Sequence, residues 1–277
     1  MNVTLIEIIV PTVNQLIITG IAGLSGVIFP LKVSIITAVH NGESEIVRTL
    51  DSVAAQDYRD IEHIIVDGES RDATIPLVRQ HGSRVSQCIS EPDRGVYDAF
   101  NKGLRIATGD VIAFLNAGDT YLNGCVVSRM AGVLRNDGVD AAFADALIVD
   151  RRNEQRILRR YSSRPFTPER MRFGLMPAHP SLFMRRAIYQ HVGEYDANFR
   201  IAGDYELCLR AFLRSSARYR YVREPIVRMP DGGLSNRGWR SKLTITQEMM
   251  HACRMNAVPT SYLLLSLRFA VKAFELW

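Results

Sequence analysis

Four apolar runs of this chain are each followed by polar residues that could do chemistry. Val33 to Thr37 is followed by His40 and Asn41, Ile61 to Val66 by Asp67, Val85 to Ile89 by Glu91 to Arg94, and Val111 to Leu115 by Asn116 to Asp119. Carboxylates in such places can hold a divalent cation, an arginine beside them can meet phosphate, and an isolated carboxylate can act as a general base. Each position also admits a plainer reading. Asn116, Gly118 and Asp119 suit a turn or a helix cap, and Asp204, just before the periodic stretch Tyr205 to Arg214, suits a helix N-cap. His179, close to Pro177 and Pro180, either orients an acceptor or a phosphate or is structural.

The elements that must position these residues follow from periodicity. Val111 to Leu115 is apolar without alternation, the pattern of a strand buried on both faces of a mostly parallel sheet. Val33 to Thr37, Ile61 to Val66 and Val85 to Ile89 read as further short strands. Between them, Glu43 to Gln56 carries Ile46, Leu50 and Val53 at helical spacing, Ala73 to His81 forms a second helix, and Val96 to Ala107 a third with Phe100 and Leu104 on one face. This alternation predicts an α/β fold with parallel crossovers, whose ligand cleft lies beyond the carboxyl ends of the strands. After a helix at Val126 to Leu134 the pattern becomes mixed. Two strands span Ala141 to Tyr161 around a polar turn at Asp150 to Glu154, a strand covers His179 to Met184, and a strand pair broken by Pro225 covers Tyr219 to Met229. The loop Asp231 to Arg237 contains glycines, and two helices end the chain.

Bulk properties narrow the function. With 277 residues and 47% hydrophobic content the chain can bury a proper core. Its 34 basic against 29 acidic residues give +5, a mild excess that suits phosphate-bearing ligands or an anionic surface and does not by itself indicate nucleic acid. Arginines crowd the segment from Arg151 to Arg172, which reads as a solvated face or as a contact for phosphates. Four irregularly spaced cysteines, with no C-x-x-C pair, argue for reduced, buried thiols in a cytosolic protein. Residues 1–30 form an apolar extension, too short in its apolar core for a bilayer span and lacking a basic leader; it reads as a peripheral or partly disordered extension, with a membrane-dipping segment as the alternative. In the last stretch, Ser261 to Trp277, Arg268, Lys272 and Glu275 form a single polar stripe, so the helix either covers its own domain or lies in a membrane interface. Neither G-x-G-x-x-G nor G-x-x-x-x-G-K-[ST] occurs, so a dinucleotide fold and a P-loop are unsupported.

Six stretches in order, VSIITAVHNGE, IIVDGESRDAT, SEPDRGVYDAFNKGLRIATGDVIAFLNAGD, AHPSLFMRR, GEYDANFRIAGDYELCLR and DGGLS, resemble the inverting glycosyltransferases of family 2. The resemblance covers Lys32 to Ser235 and is strongest to bacterial exopolysaccharide, capsule and colanic-acid type enzymes. It implies the glycosyltransferase-A fold, a Rossmann-like, mostly parallel central sheet flanked by helices with a mixed C-terminal half. The implied domain spans residues 31–238, with residues 239–277 as C-terminal, membrane-associated or domain-covering helices. By the same resemblance, Thr37, Glu43 and Asp67 bind the nucleotide, with Asp67 on the base, and Arg94, Asn116 and Arg237 complete the donor site. Asp119 holds Mn²⁺ or Mg²⁺, and Asp204 is the catalytic base. Asn116 and Gly118 stand where many relatives carry acids, which thins the metal-binding cluster. The implied partners are a nucleoside-diphosphate sugar and a saccharide or lipid-linked saccharide acceptor of cell-envelope polysaccharide synthesis. The implied location is the cytoplasm or the inner face of the plasma membrane. A non-catalytic nucleotide-sugar-binding relative is the competing reading. A nucleotidyltransferase ranks third, because no glycine-rich basic loop follows the first strand.

Overall fold

Strand and helix alternate through the first half because β-branched runs alternate with stretches that are apolar every third or fourth residue. The computed structural model describes residues 30–136, 138–233 and 238–273. β1 (Val33–Val39) leads to α1 (Ile46–Ala54), β2 (Ile61–Asp67) to α2 (Thr74–His81), β3 (Val85–Ser90) to α3 (Val96–Ile106), and then comes β4 (Val111–Phe114). These strands pair in parallel in the order β3-β2-β1-β4, and parallel neighbours need crossovers, which the helices supply. The unbroken apolar run of β4 has the expected cause. Val111 and Ala113 face one core with Val33 and Met130, while Ile112 and Phe114 face another with Ile36, Phe100 and Tyr205.

Beyond β4 the chain forms β5 (Thr120–Tyr121), α4 (Val126–Leu134), β6 (Ala141–Asp150), β7 (Asn153–Tyr161), β8 (Phe183–Arg185), α5 (Arg186–Val192), α6 (Gly203–Leu209), β9 (Tyr219–Pro230), α7 (Trp239–Met255) and α8 (Tyr262–Ala273). β8 runs antiparallel to β4 and extends the sheet through β6, β9 and β5, while β7 is hairpinned onto β6. The mixed second half is therefore a continuation of the same sheet.

Several local expectations are corrected. The strand expected from His179 to Met184 is a 3₁₀ turn at His179–Ser181 followed by β8 alone. Pro180 has no N–H to give a ladder, and the N–H groups of Ser181 and Leu182 close back on the carbonyls of Ala178 and His179 at 2.9 and 3.0 Å. The pair expected from Tyr219 to Met229 is one strand; Pro225 sits opposite Asp145, where the register slips on both sides and no ladder N–H is required. The helix ahead of Arg214 starts at Gly203 and widens at Arg210–Arg214 into a π turn closed by the Ser215 N–H on the Arg210 carbonyl. Only Cys208 and Cys253 are buried; Cys88 is exposed and Cys125 half-buried, and all four are free.

Arg268, expected on the polar stripe of the last helix, instead faces inward. Arg268 is 2% exposed and Leu263 is 77% exposed. The Arg268 guanidinium is drawn inward by the Leu265 carbonyl at 2.6 Å and Thr246 Oγ1 at 2.7 Å. α8 packs on α7 and on the turn Pro168–Phe173. Among the described residues no helix is long and apolar enough to cross a membrane. The expectation for the N-terminal extension falls on residues 1–29, outside the described residues.

α7 also fixes the loop that leads into α6. The Glu248 carboxylate accepts the backbone N–H groups of Arg200, Ile201 and Ala202 at 2.9, 2.9 and 2.7 Å. Replacing it leaves three donors of this loop without their acceptor, and hydrogen bonds to a charged group contribute about 1.5–3 kcal/mol each at most. Glu248→Ala is expected to lower the denaturant midpoint by the equivalent of roughly 2–4 kcal/mol, measured by urea unfolding followed by circular dichroism.

Candidate active site

The carboxyl ends of β1 and β4 open into a cleft of about 510 Å³. Its walls come from the loops after β1 and β4, the residues just ahead of α1, the β6–β7 turn, the first turn of α6 and residues 231–233 after β9. Asn116, Asp119 and Asp204 all line it. His179 lines it as well, although sequence alone left its role open.

At one end, β4 stops and Gly118, at φ +97°, turns the chain sharply. The turn is fixed by Thr49 of α1, whose hydroxyl receives the Gly118 N–H at 2.9 Å and donates to the Asp119 carbonyl at 2.8 Å. The Asp119 N–H closes on the Asn116 carbonyl at 3.0 Å. The Asp119 side chain is thereby held in a buried position, and its carboxyl is pushed up to about 8, by burial first and by the charge of Glu45 second, against Arg48. Glu45 comes from the residue before α1 and is ion-paired with Arg151 at the β6–β7 turn. A side-chain carbon on Gly118 would lie 3.6 Å from the Glu45 carboxylate carbon, an ordinary contact, so glycine is required here by its positive φ and not by lack of room. Asn116 Oδ1 is buried without a hydrogen-bond partner.

Toward the other side stands Asp204. Its Oδ1 accepts the Tyr205 N–H at 2.8 Å and lies 3.3 Å from the Tyr97 hydroxyl, which also bonds the Ile201 carbonyl. Burial pushes the Asp204 carboxyl up to about 6, the two hydrogen bonds pull it down, and Glu248 adds a further upward push. Tyr97 can approach only because residue 203 is glycine: a Cβ there would meet the tyrosine ring at 2.8–3.0 Å. Tyr97 stacks on Tyr195 at 5.6 Å, and the Tyr195 hydroxyl lies 2.8 Å from His179 Nε2. The imidazole stacks on Phe100 and Phe114, and burial takes it down to about 4, so at neutral pH it is an uncharged hydrogen-bonding group.

Other residues expected in the site are engaged elsewhere. The Thr37 hydroxyl is buried in β1 between His63 Nε2 at 3.0 Å and the Leu115 carbonyl at 2.7 Å. Glu43 accepts the Ala73 N–H at 3.0 Å and so ties the two first loops together. Asp67 is fully buried and receives the Ser70 N–H at 2.9 Å, the Ser90 hydroxyl at 2.6 Å and the Ser70 hydroxyl. The Arg94 side chain is 77% exposed and pairs with Asp98 one turn on. None of these four lines the cleft. Arg237 lies outside the described residues. Conversely, Glu45, Arg151, Tyr97 and Arg200 line the cleft and were not assigned to it from sequence. Glu45 stands two residues from Glu43, and only the first turn of α1 decides which of the two faces inward; Arg151 was hidden in a run of arginines.

The α/β sheet has counterparts among solved structures. TarS of S. aureus in complex with UDP-GlcNAc superposes with a TM-score of 0.65 at 19% identity, over 82% of this chain and 66% of that one. This chain spans 65% of the TarS fragment solved with UDP and 39% of a longer TarS chain. Glucosyl-3-phosphoglycerate synthase from Mycobacterium tuberculosis, with Mn²⁺, UDP and glucosyl-3-phosphoglycerate, gives 0.58 at 19% identity over 83% and 82% of the two chains. The architecture is the glycosyltransferase-A fold. The model of the family described as "Glycosyl transferase family 2" matches residues 34–193, more than half of the sequence. A PGL/p-HBAD biosynthesis glycosyltransferase of Mycobacterium bovis is 28% identical over 73% of this chain and 78% of its own length. An uncharacterized glycosyltransferase of Mycobacterium tuberculosis is 34% identical over 65% and 69%. The chain belongs to glycosyltransferase family 2.

Proposed function

We propose that this glycosyltransferase moves a sugar, with inversion, from a nucleoside diphosphate to a hydroxyl of a saccharide or lipid-linked saccharide acceptor. The observation that carries the reading is that Asp119 and Asp204, remote in sequence and held by different elements, line a single cleft. Asp204 accepts the proton of the acceptor hydroxyl as its oxygen bonds the anomeric carbon. The bond from that carbon to the diphosphate breaks, and its electron pair leaves with the nucleoside diphosphate. A base whose carboxyl sits near 6 is ionised at neutral pH yet retains a proton affinity above that of a free aspartate. Arg151 and Arg200 on the cleft wall favour the departing diphosphate.

The residues present fit a divalent cation. Asp119 and Glu45 would supply carboxylates and the unpartnered Asn116 Oδ1 a neutral oxygen, leaving the remaining positions to diphosphate oxygens and water. Among the described residues no group of three acidic, histidine or cysteine side chains could hold a metal without such help. When bound, Mn²⁺ or Mg²⁺ would neutralise charge on the leaving group. The structural relatives solved with Mn²⁺ include a Pyrobaculum calidifontis mannosyltransferase in complex with GDP-Man, which supports this assignment by analogy.

The test is incubation of purified protein with Mn²⁺ and a panel of UDP- and GDP-sugars, following nucleoside diphosphate release. Slow donor hydrolysis with at least one sugar is expected, and it should require the cation. Nucleotide binding with no release under any condition would favour a binding protein that has kept the fold and lost the chemistry.

A further inference from the structure

The Asp204 carboxylate is gripped by one oxygen. The Tyr205 N–H and the Tyr97 hydroxyl converge on its Oδ1, at 2.8 and 3.3 Å. The first bond is local, made by the next residue of α6. The second comes from the first turn of α3, so it exists only if the tertiary packing puts that ring in place.

The packing around Tyr97 does so from several sides. The ring is 4% exposed, lies edge-on to Phe100 at 6.0 Å and stacks on Tyr195 at 5.6 Å. Tyr195 is fixed in turn by Asn101, one turn further along α3, whose side chain gives its amide to the Tyr195 carbonyl at 2.8 Å and receives the Tyr195 N–H at 2.9 Å. The hydroxyl is anchored as well. It bonds the carbonyl of Ile201, in the loop whose N–H groups Glu248 clamps from α7. Burial keeps the phenol un-ionised, so it stays a donor.

Resting on the transferase reading above, we propose that Tyr97 is a positioning residue for the base: anchored on the Ile201 carbonyl, its hydroxyl fixes Asp204 by Oδ1 and reserves Oδ2 for the acceptor hydroxyl. One phenolic proton serves both states of the base. While Asp204 is ionised, that proton goes to Oδ1, because a charged acceptor bonds about twice as strongly as a neutral carbonyl. Once Oδ2 has taken the acceptor's proton, the carboxyl is neutral and the phenolic proton turns back to Ile201. Tyr97 itself neither gains nor loses a proton.

Other ionisable groups also surround Asp204. Glu248 acts on it from α7, and Tyr195 and Cys208 are buried beside it and neutral, as is His179. The cleft also carries His40, Glu45, Asp119, Arg151, Arg200 and Asp231, and the adjoining chamber Arg159, Tyr161, Lys242 and Arg268. Tyr97→Phe leaves every one of them in place and keeps the ring that packs on Phe100 and Tyr195, so a change in the ionisation of Asp204 reads the lost hydroxyl.

In full-length protein isotope-labelled at the aspartate carboxyls, the Asp204 resonance, assigned by its loss in Asp204→Asn, gives the ionisation midpoint without need of turnover. Tyr97→Phe is expected to raise that midpoint by at least about half a pH unit, since a bond to the charged form is lost. The acid limb of kcat should move up with it, the plateau should fall about tenfold, and the donor KM should stay within about twofold. Tyr195→Phe, which removes the neighbouring hydroxyl and keeps the stack, is expected to leave the midpoint within about 0.2 units. An unmoved midpoint in Tyr97→Phe would overturn the proposal, as would an equal rise in Tyr195→Phe or a lower plateau with an unmoved limb. Wild type that binds nucleoside diphosphate and never turns over would remove the transferase reading, and the role of Tyr97 with it. Turnover with an unmoved midpoint removes the role of Tyr97 alone.

Discussion

Asp204→Asn is expected to lower the transfer rate by about 10²- to 10⁴-fold while making the protein more stable at neutral pH. The two effects have one cause. Burial raises the Asp204 carboxyl to about 6 in the folded state, above the usual carboxylate range. Between the unfolded value and 6 the folded state keeps a proton that the unfolded state has released, so folding stability is fullest below about 4 and falls as pH rises through the folded value. Above it, wild type carries a desolvated charge that asparagine lacks, a difference on the order of 2–3 kcal/mol. Asp204 lies in the first turn of α6, whose N-cap is Ala202 without a side-chain cap bond, so a higher melting temperature with lost turnover marks a carboxylate kept for function at a cost in stability. The wild-type rate at saturating donor should rise about tenfold per pH unit below 6 and level off above it, as stopped assays across pH 4.5–8 would show. A flat profile over that range would remove Asp204 from the role of base.

The second large effect is at Asp119. Asp119→Ala removes a buried carboxylate that feels the charge of Glu45 and is expected to reduce turnover by about 10²- to 10³-fold. Its independent signature is thermal: Mn²⁺ should raise the melting temperature of the wild type in the presence of nucleoside diphosphate by several degrees beyond the nucleotide alone, and this increment should vanish in the variant. Persistence of the increment would mean that the cation is held elsewhere.

How much of this was legible beforehand differs from element to element. The parallel half was readable because β1, β2 and β4 are short apolar runs and because Ile46, Leu50 and Val53 fall on one helical face, all buried as the periodicity requires. Pro180 and Pro225 misled in opposite directions: the first ended a strand that composition favoured, the second was absorbed by a bulge that only the partner strand reveals. Arg268 shows a third kind of miss, since a charged residue on a helix is read as solvent-facing unless the neutral acceptors waiting for it are known. In the site, the strand-end rule located Asn116 and Asp119 but did not say which side chains would be consumed locally. Asp67 and Thr37 satisfy the same rule, and their polar atoms are occupied by Ser70, Ser90, His63 and a carbonyl of β4's end. Glu45 reaches the cleft through helix orientation and Tyr97 through the space left by Gly203, neither of which is visible in linear spacing.

Asp119 and Asp204 are assigned to different halves of one event, departure of the diphosphate and activation of the acceptor, and donor affinity separates them. Calorimetric titration of nucleoside diphosphate in Mn²⁺ into wild type, Asp119→Ala and Asp204→Asn should give a dissociation constant at least about tenfold weaker for the first variant and within about threefold of wild type for the second. Tight binding by Asp119→Ala together with weak binding by Asp204→Asn would contradict the division of labour on which the account rests.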